Sequence, residues 1–290
     1  GDVVVEVARA GRAGPGAGRG GEAIVFRTDG GYDSLWWSLS YDRWNETGGR
    51  SAQRQRELDF YRRQLPTTRG AILEAACGTG SIMLPLLVDG FDVVGCDSSL
   101  PMLEVLRGKA ADLGISDIGS RTTQQNFVDF AYDYRFTAVM IPASAIMMLS
   151  TQTSQITCLR RVYDCLQPGG RLLLNFYVPS YTQDLLIHRE SPPREEEFGD
   201  FIHPETGNEI EVSYSKVCDL ASQTESYTWI FRHDGTTSTV PMHARWIYPE
   251  EFQLLLRLCG FGHWELYGDQ DCGPYVGSEK ATNTYWVVTK

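Results

Sequence analysis

The sequence predicts an α/β protein: a doubly wound, mostly parallel sheet with an antiparallel β insertion before its last helix. Three observations carry this. From Ala71 onward, short apolar runs alternate with segments of helical period. The first of these runs, ILEAACGTG (Ile72 to Gly80), leads straight into a glycine turn. Beyond residue 209 the apolar period changes from helical to alternating, as in antiparallel strands.

The elements follow in order. Ala10 to Gly21 contains GRAGPGAGRGG, too poor in apolar residues to pack, and reads as a flexible segment after a short strand at Val3–Val7. YDSLWWSLSYDRW (32–44) spaces its aromatics by three and four, which predicts a short amphipathic helix. Ser51 is placed to cap a second helix reaching Leu65 and closed by Pro66. Within it, RQRELDFYRRQ (Arg54 to Gln64) is the densest basic run of the chain and reads as a solvated helix face. Strands are expected near 71–75, 92–96, 121–125, 136–141 and 171–177, and helices near 80–88, 99–113 and 153–166, with the PGG at 168–170 as a turn. SPPREEEFGD (191–200) reads as irregular, and 209–246 as antiparallel strands with Asp234-Gly235 as a two-residue hairpin. Pro249 opens a helix that stops at Gly260, and strands near 263–268 and 282–289 follow.

Composition narrows the function. The net charge is −11 and is not gathered in one tail, which argues against a nucleic-acid partner. The seven cysteines, at 77, 96, 158, 165, 218, 259 and 272, are never spaced CxxC. This pattern fits neither a disulfide framework nor a structural zinc site, and a reducing cytoplasm is expected. No apolar run is long enough to span a bilayer, no secretory signal is read, and no metal cluster is expected.

A strand, a glycine turn and a helix present free N–H groups to a ligand. A Walker loop is excluded because no GK[ST] follows. A dinucleotide fingerprint wants a small third residue in GxGxxG, and Met83 stands there. That weakens a nicotinamide or flavin reading.

The run ILEAACGTG resembles instead the first motif of the class I S-adenosylmethionine-dependent methyltransferases, an acid followed by a GxG loop. A second acid, Asp97, ends the next strand 23 residues after Glu74. SSLPMLEVLRGKA, RFTAVMIP, LRRVYDCLQPGGRLLLNFY, PEEFQLLLRLCGF and TNTYWVVT are similar, in order, to later elements of that family, so the likeness spans about residues 32 to 290. It implies a seven-stranded Rossmann-like sheet with an antiparallel last strand. It also implies S-adenosyl-L-methionine as cofactor and S-adenosyl-L-homocysteine as product.

Carried over by position, Glu74, Ala75, Ala76, Cys77, Gly78 and Gly80 line the methionine portion and Asp97 holds the ribose. Ser98 and Met102 flank the adenine, with Asn126 and Phe127 beside it, and Ile141 ends the strand facing the cofactor's amino group. The chain departs from the family pattern at Ala76, where Gly is common, and at Asn126 and Thr137, where Asp is common. The domain reading is then a flexible 1–30, a cofactor-binding core over 31–180 with N-terminal aromatic lid helices, a substrate-covering insertion over 181–246, and core again over 247–290.

Tyr32 and Tyr41 are expected near the sulfonium and acceptor, where ring faces favour cations. His243, just before RWIYPEEF, is the best general-base candidate. The expected acceptor is a small molecule: an amine or amino sugar methylated on nitrogen, or a natural-product hydroxyl methylated on oxygen. Self-association into a homodimer is left open. The competing readings are an inactive methyltransferase-like partner subunit and a dinucleotide-dependent oxidoreductase.

Overall fold

The computed structural model describes residues 37–38, 40–42, 50–65, 70–181, 185–189, 193–202, 207–277 and 282–290. The expected strand at Val3–Val7, the glycine-rich segment, Tyr32, Pro66 and part of the aromatic segment lie outside the described residues. Among the described residues no helix is long and apolar enough to cross a membrane.

A long helix, α1 (Arg50–Gln64), precedes the sheet. Then come β1 (Ile72–Ala75), α2 (Met83–Val88), β2 (Val93–Asp97), α3 (Leu100–Asp112), α4 (Ile118–Arg121), β3 (Thr122–Gln124) and β4 (Phe136–Ile141). After α5 (Gln152–Cys165) and β5 (Leu166–Val178), four strands follow: β6 (Glu195–Ile202), β7 (Glu209–Asp219), β8 (Thr224–His233) and β9 (Thr236–Arg245). Helix α6 (Pro249–Leu258), β10 (His263–Tyr267) and β11 (Thr282–Thr289) follow.

The main sheet has seven strands in the order β10-β11-β5-β4-β1-β2-β3. Strands β1 to β5 pair in parallel, and β11 runs antiparallel between β5 and β10. All four residues of β1 are buried, as a strand covered on both faces requires. One face packs Leu73, Val139, Leu172 and Leu174 against α5 and α6. The other packs Ile72, Ala138 and Leu173 against α1, α2 and α3. The strand order reverses between β1 and β4, so the crevice beyond their carboxyl ends is where an open α/β sheet takes its ligand.

Two elements differ from the sequence reading. The PGG expected as a turn is absorbed into β5 as an irregularity: Phe136 pairs with Leu166 and Ala138 with Arg171, with Gly169 left-handed between them. The charged stretch read as irregular forms β6, an edge strand of a second, four-stranded antiparallel sheet ordered β6-β7-β8-β9. A register shift at Gly199, between Glu197 and Gly199 on the β6–β7 pair, breaks the alternation that would have marked it. Its acids suit an edge, where charge discourages pairing with another chain. The hairpin falls where expected: Asp234 and Gly235 are both left-handed, and His233 pairs with Thr236.

Helix α1 corrects a third expectation. Leu58, Phe60, Tyr61 and Leu65 are buried in the core beneath it, and even Glu57 is buried. The expected solvated face holds for Arg56, Arg62 and Arg63, the last two with Asp59, Asp89 and Asp271 as partners, whereas Arg54 is drawn inward beside the buried Glu57.

The glycine turn sets a limit on substitution. A Cβ at Gly80 would stand 2.8 Å from Leu106 Cγ and 3.0 Å from Leu84 Cγ, at φ +78°, whereas one at Gly78 meets nothing. Gly80→Ala is therefore expected to destabilise by ~2–5 kcal/mol, from strain plus overpacking, and Gly78→Ala by only ~1–2 kcal/mol, in urea unfolding without cofactor.

Candidate functional site

The site is built from three loops at the carboxyl ends of β1, β2 and β4. After β1 the chain turns through Ala76, Gly78 and Gly80, all left-handed, at φ 60°, 51° and 78°. Cys77 N–H donates to the Cys96 carbonyl at 3.0 Å and anchors this turn to β2. Gly80 is the tight position, packed on Leu106, while Gly78 faces open space. So Gly78, and not Gly80, leaves room for a ligand. Ala76, where the family pattern has Gly, carries the strain of a Cβ in the left-handed region, roughly 1–2 kcal/mol.

Asp97 ends β2 and accepts from two backbone donors, Gly78 N–H at 2.8 Å and Ser99 N–H at 2.9 Å. It therefore ties the first loop to the second. The N-cap of α3 is Ser99, whose Oγ accepts from Met102 N–H at 3.3 Å.

Glu74 is buried under the first loop, and its Oε2 has no hydrogen-bond partner. Burial pushes its carboxyl well above the ordinary range; Arg54 opposes this, and Glu57 and Asp97 add to it. An orphaned buried carboxyl oxygen calls for a donor. Arg54 brings the opposite charge from α1, with Nη1 donating to Glu57 Oε2 at 3.0 Å. An acid and a guanidinium within electrostatic reach of each other match the two ends of an α-amino acid, as in the methionine portion of the expected cofactor.

Beyond β4, Ala143 and Ser144 are left-handed in succession, at φ 55° and 59°. The Ala143 N–H is held by two acceptors, Asn175 Oδ1 at 3.0 Å and Glu57 Oε1 at 3.2 Å. Asn175 Oδ1 also accepts from the buried Tyr61 hydroxyl at 2.8 Å. Two successive strained non-glycine residues are thus fixed in place from β5 and α1.

The described part of the aromatic segment, residues 37–38 and 40–42, packs between the second sheet and α3. Trp37 lies 5.1 Å from Trp229 of β8, centroid to centroid, and packs in one cluster with Met102 of α3. Asp42 accepts from Thr79 Oγ1 at 2.7 Å and from Lys109 Nζ at 2.9 Å, so the segment is latched to the glycine turn and to α3.

The expected residues divide clearly. Gly78 is hydrogen-bonded to Asp97, Ser98 follows it and is exposed, Glu74 is buried on the neighbouring strand, and Met102 is buried against Trp37. Ala75 and Ile141 bury their side chains in one core and Cys77 in the other, so only their backbone is available to a ligand. Asn126 Oδ1 accepts from Val128 N–H at 2.9 Å, and its second lone pair remains for a donor. Phe127 is half-buried against the core. Tyr41 is half-buried and hydrogen-bonded to Arg54, and burial raises its phenol, which stays protonated.

His243 is a correction. It is exposed, bonds Ser226 at 3.0 Å, and points away from the face on which its neighbour Met242 packs. The alternation of β9 turns it outward. Its neighbour Arg245 is a structural staple, 2.7 Å from Glu251 and bonded to Gln155.

Sequence reasoning missed Arg54, Glu57, Tyr61 and Asn175. A signal existed: Arg54, Glu57, Leu58, Tyr61 and Leu65 fall on one helical stripe, with polar groups inside an otherwise apolar row.

With this geometry in place, the comparisons are specific. Residues 72–170 match the family model described as a methyltransferase domain. Those residues are thus similar to a methyltransferase domain, and S-adenosylmethionine is the cofactor that this likeness supports. The candidate methyltransferase YqeM of Bacillus subtilis (strain 168) is 25% identical over 252 residues, which cover 86% of this chain and 91% of that protein. An S-adenosylmethionine-dependent methyltransferase from Clostridium acetobutylicum ATCC 824 has the same fold, with TM-score 0.69 at 14% identity over 86% of this chain and 97% of that one. The sugar N-methyltransferase KedS8 from Streptoalloteichus sp ATCC 53650 also shares it, with TM-score 0.60 at 17% identity over 94% and 99%.

The raised Glu74 carboxyl has a measurable consequence. The native protein retains its proton through a pH range in which the unfolded chain has released it, so stability falls as pH rises through that range. Glu74→Gln lacks this titration. Its Tm relative to wild type is expected to rise as pH increases above the ordinary carboxylate range, in thermal unfolding without cofactor.

Proposed function

We propose that the protein transfers a methyl group from S-adenosylmethionine to a small-molecule acceptor, most readily the nitrogen of an amine or amino sugar. The observation that carries the cofactor half is the buried, partnerless Glu74 oxygen beside Arg54, one strand away from Asp97. In this reading Glu74 and Arg54 hold the amino and carboxylate groups of the methionine portion. Asp97 takes the ribose hydroxyls, and Ser98 and Met102 flank the adenine with Asn126 at its edge. Residues 31–180 and 247–290 form the cofactor core, and 181–246 cover the acceptor.

When bound, the cofactor supplies an electrophilic methyl, and transfer is an in-line displacement that depends chiefly on alignment. The chain's contribution is the rigid loop at Ala143–Ser144, fixed by Asn175 and Glu57, which positions the backbone facing the acceptor. An acceptor amine needs only to arrive neutral, whereas a hydroxyl gains from a base. Burial holds the phenols of Tyr41, Tyr177 and Tyr227 in their protonated form. They are therefore donors and not bases, which favours nitrogen over oxygen. Fold likeness to a sugar N-methyltransferase supports the same preference.

Calorimetric titration tests the reading. S-adenosylmethionine and S-adenosylhomocysteine are expected to bind, and Asp97→Ala to weaken both by ~100-fold, the worth of two hydrogen bonds to a charged group at about 1.5 kcal/mol each. Silence from both adenosyl compounds, with NAD binding instead, would return the chain to the oxidoreductases. Binding without turnover of any amine or hydroxyl acceptor would make it an inactive partner.

A further inference from the structure

The four-stranded sheet is seated at two places, and both are apolar. At one, Val212, Phe231, Val240 and Met242 pack with Trp37 and Met102. At the other, Cys218 and Ala244 join the core around Phe176 and Trp246. Between these seats the inner face carries charge. Lys216 Nζ lies 2.9 Å from Glu225 Oε2, with side chains only 6% and 1% exposed. From the core sheet, Tyr177 hydrogen-bonds Glu225, and its hydroxyl lies 3.4 Å from that of Tyr227.

Tyr177 stands two residues past Asn175, on the same face of β5 by strand alternation. Asn175 holds the strained loop beyond β4. Tyr177, one residue from the carboxyl end of β5, thus brings the polar middle of the roof to the same end of the sheet as the loop beyond β4.

A seat has no need of such a cluster. A buried ion pair is commonly no more stabilising than apolar residues of the same volume, and the two flanking seats use apolar residues. Burial raises the Tyr177 and Tyr227 phenols, which keep their protons. Burial disfavours the ammonium of Lys216, but Glu225 and a hydrogen bond to the Tyr227 hydroxyl oxygen hold it charged. Beside them runs an aromatic row, with Tyr227 stacked at 16° on Trp229 and Tyr214 5.3 Å from Trp229. Tyr177, Tyr214 and Tyr227 are only half-buried.

We propose that Lys216, Glu225 and the hydroxyls of Tyr177 and Tyr227 form the acceptor-recognition site, and that it takes a saturated ring bearing hydroxyls and an amine. The hydroxyls meet the polar cluster and the C–H edge of the ring lies along the aromatic row. The inference rests on the methyltransferase reading, and its test separates the two.

Protein saturated with S-adenosylhomocysteine is titrated with D-glucosamine and with cyclohexylamine, which keeps the ring and amine but lacks hydroxyls, by ligand-observed NMR. D-glucosamine is expected to bind more tightly. Tyr177→Phe and Tyr227→Phe are each expected to weaken it by ~10-fold while leaving cyclohexylamine and S-adenosylhomocysteine unchanged. Glu225→Gln is expected to abolish D-glucosamine binding; where that variant fails to fold, the two tyrosine variants decide. The proposal is overturned if D-glucosamine does not bind or binds no better than cyclohexylamine. Two phenylalanine variants that behave as wild type, or that lose both amines together, overturn it equally. Failure of S-adenosylhomocysteine to bind the wild type defeats the methyltransferase reading itself, and this proposal with it.

Discussion

The carboxylate of Asp97 is the interaction on which the cleft depends. It accepts from Gly78 on one side and Ser99 on the other, so the loops after β1 and β2 are held at a fixed separation. Charge-assisted bonds of this kind are about twice as strong as neutral ones, and both donors are backbone groups that cannot rotate away. A left-handed turn strained at Ala76 would otherwise have little reason to keep its shape. The cleft is thus shaped in advance, which reduces the ordering a ligand must bring about.

The second sheet and the described part of the aromatic segment are held differently. Apolar contacts at Trp37 and Met102 seat the antiparallel sheet, and Asp42 fastens the aromatic segment to Thr79 and Lys109. The Asp42–Lys109 ion pair is partly exposed, so it contributes little energy and is weakened by salt.

The floor was legible in the sequence because buried parallel strands write continuous apolar runs. Strands β1, β2, β4 and β5 and the glycine turn all stand where those runs place them. Other features depended on pairing that no local pattern records. His243 faces outward by a single step of alternation, fixed by its pairing with Ser226 across β9 and β8. A bulge hid β6. Arg54 sat within a run that resembles solvated charge, and only the packing of Tyr61 and Phe60 shows that this part of α1 faces inward. Asn175 lay in an apolar strand with no motif around it; its role follows from a loop more than thirty positions earlier.

The strand order also bears on how the chain is made. Strand β11 is inserted between β5 and β10 and pairs with eight residues of β5. It is the last strand of the sheet to leave the ribosome. Until then β5, rich in Leu, Phe and Tyr, presents an unpaired edge of the kind that recruits other chains. Domains generally fold as units during synthesis, and this one must wait for its final element. Nascent chains stalled before β11 are accordingly the species most exposed to aggregation, and the most dependent on chaperones.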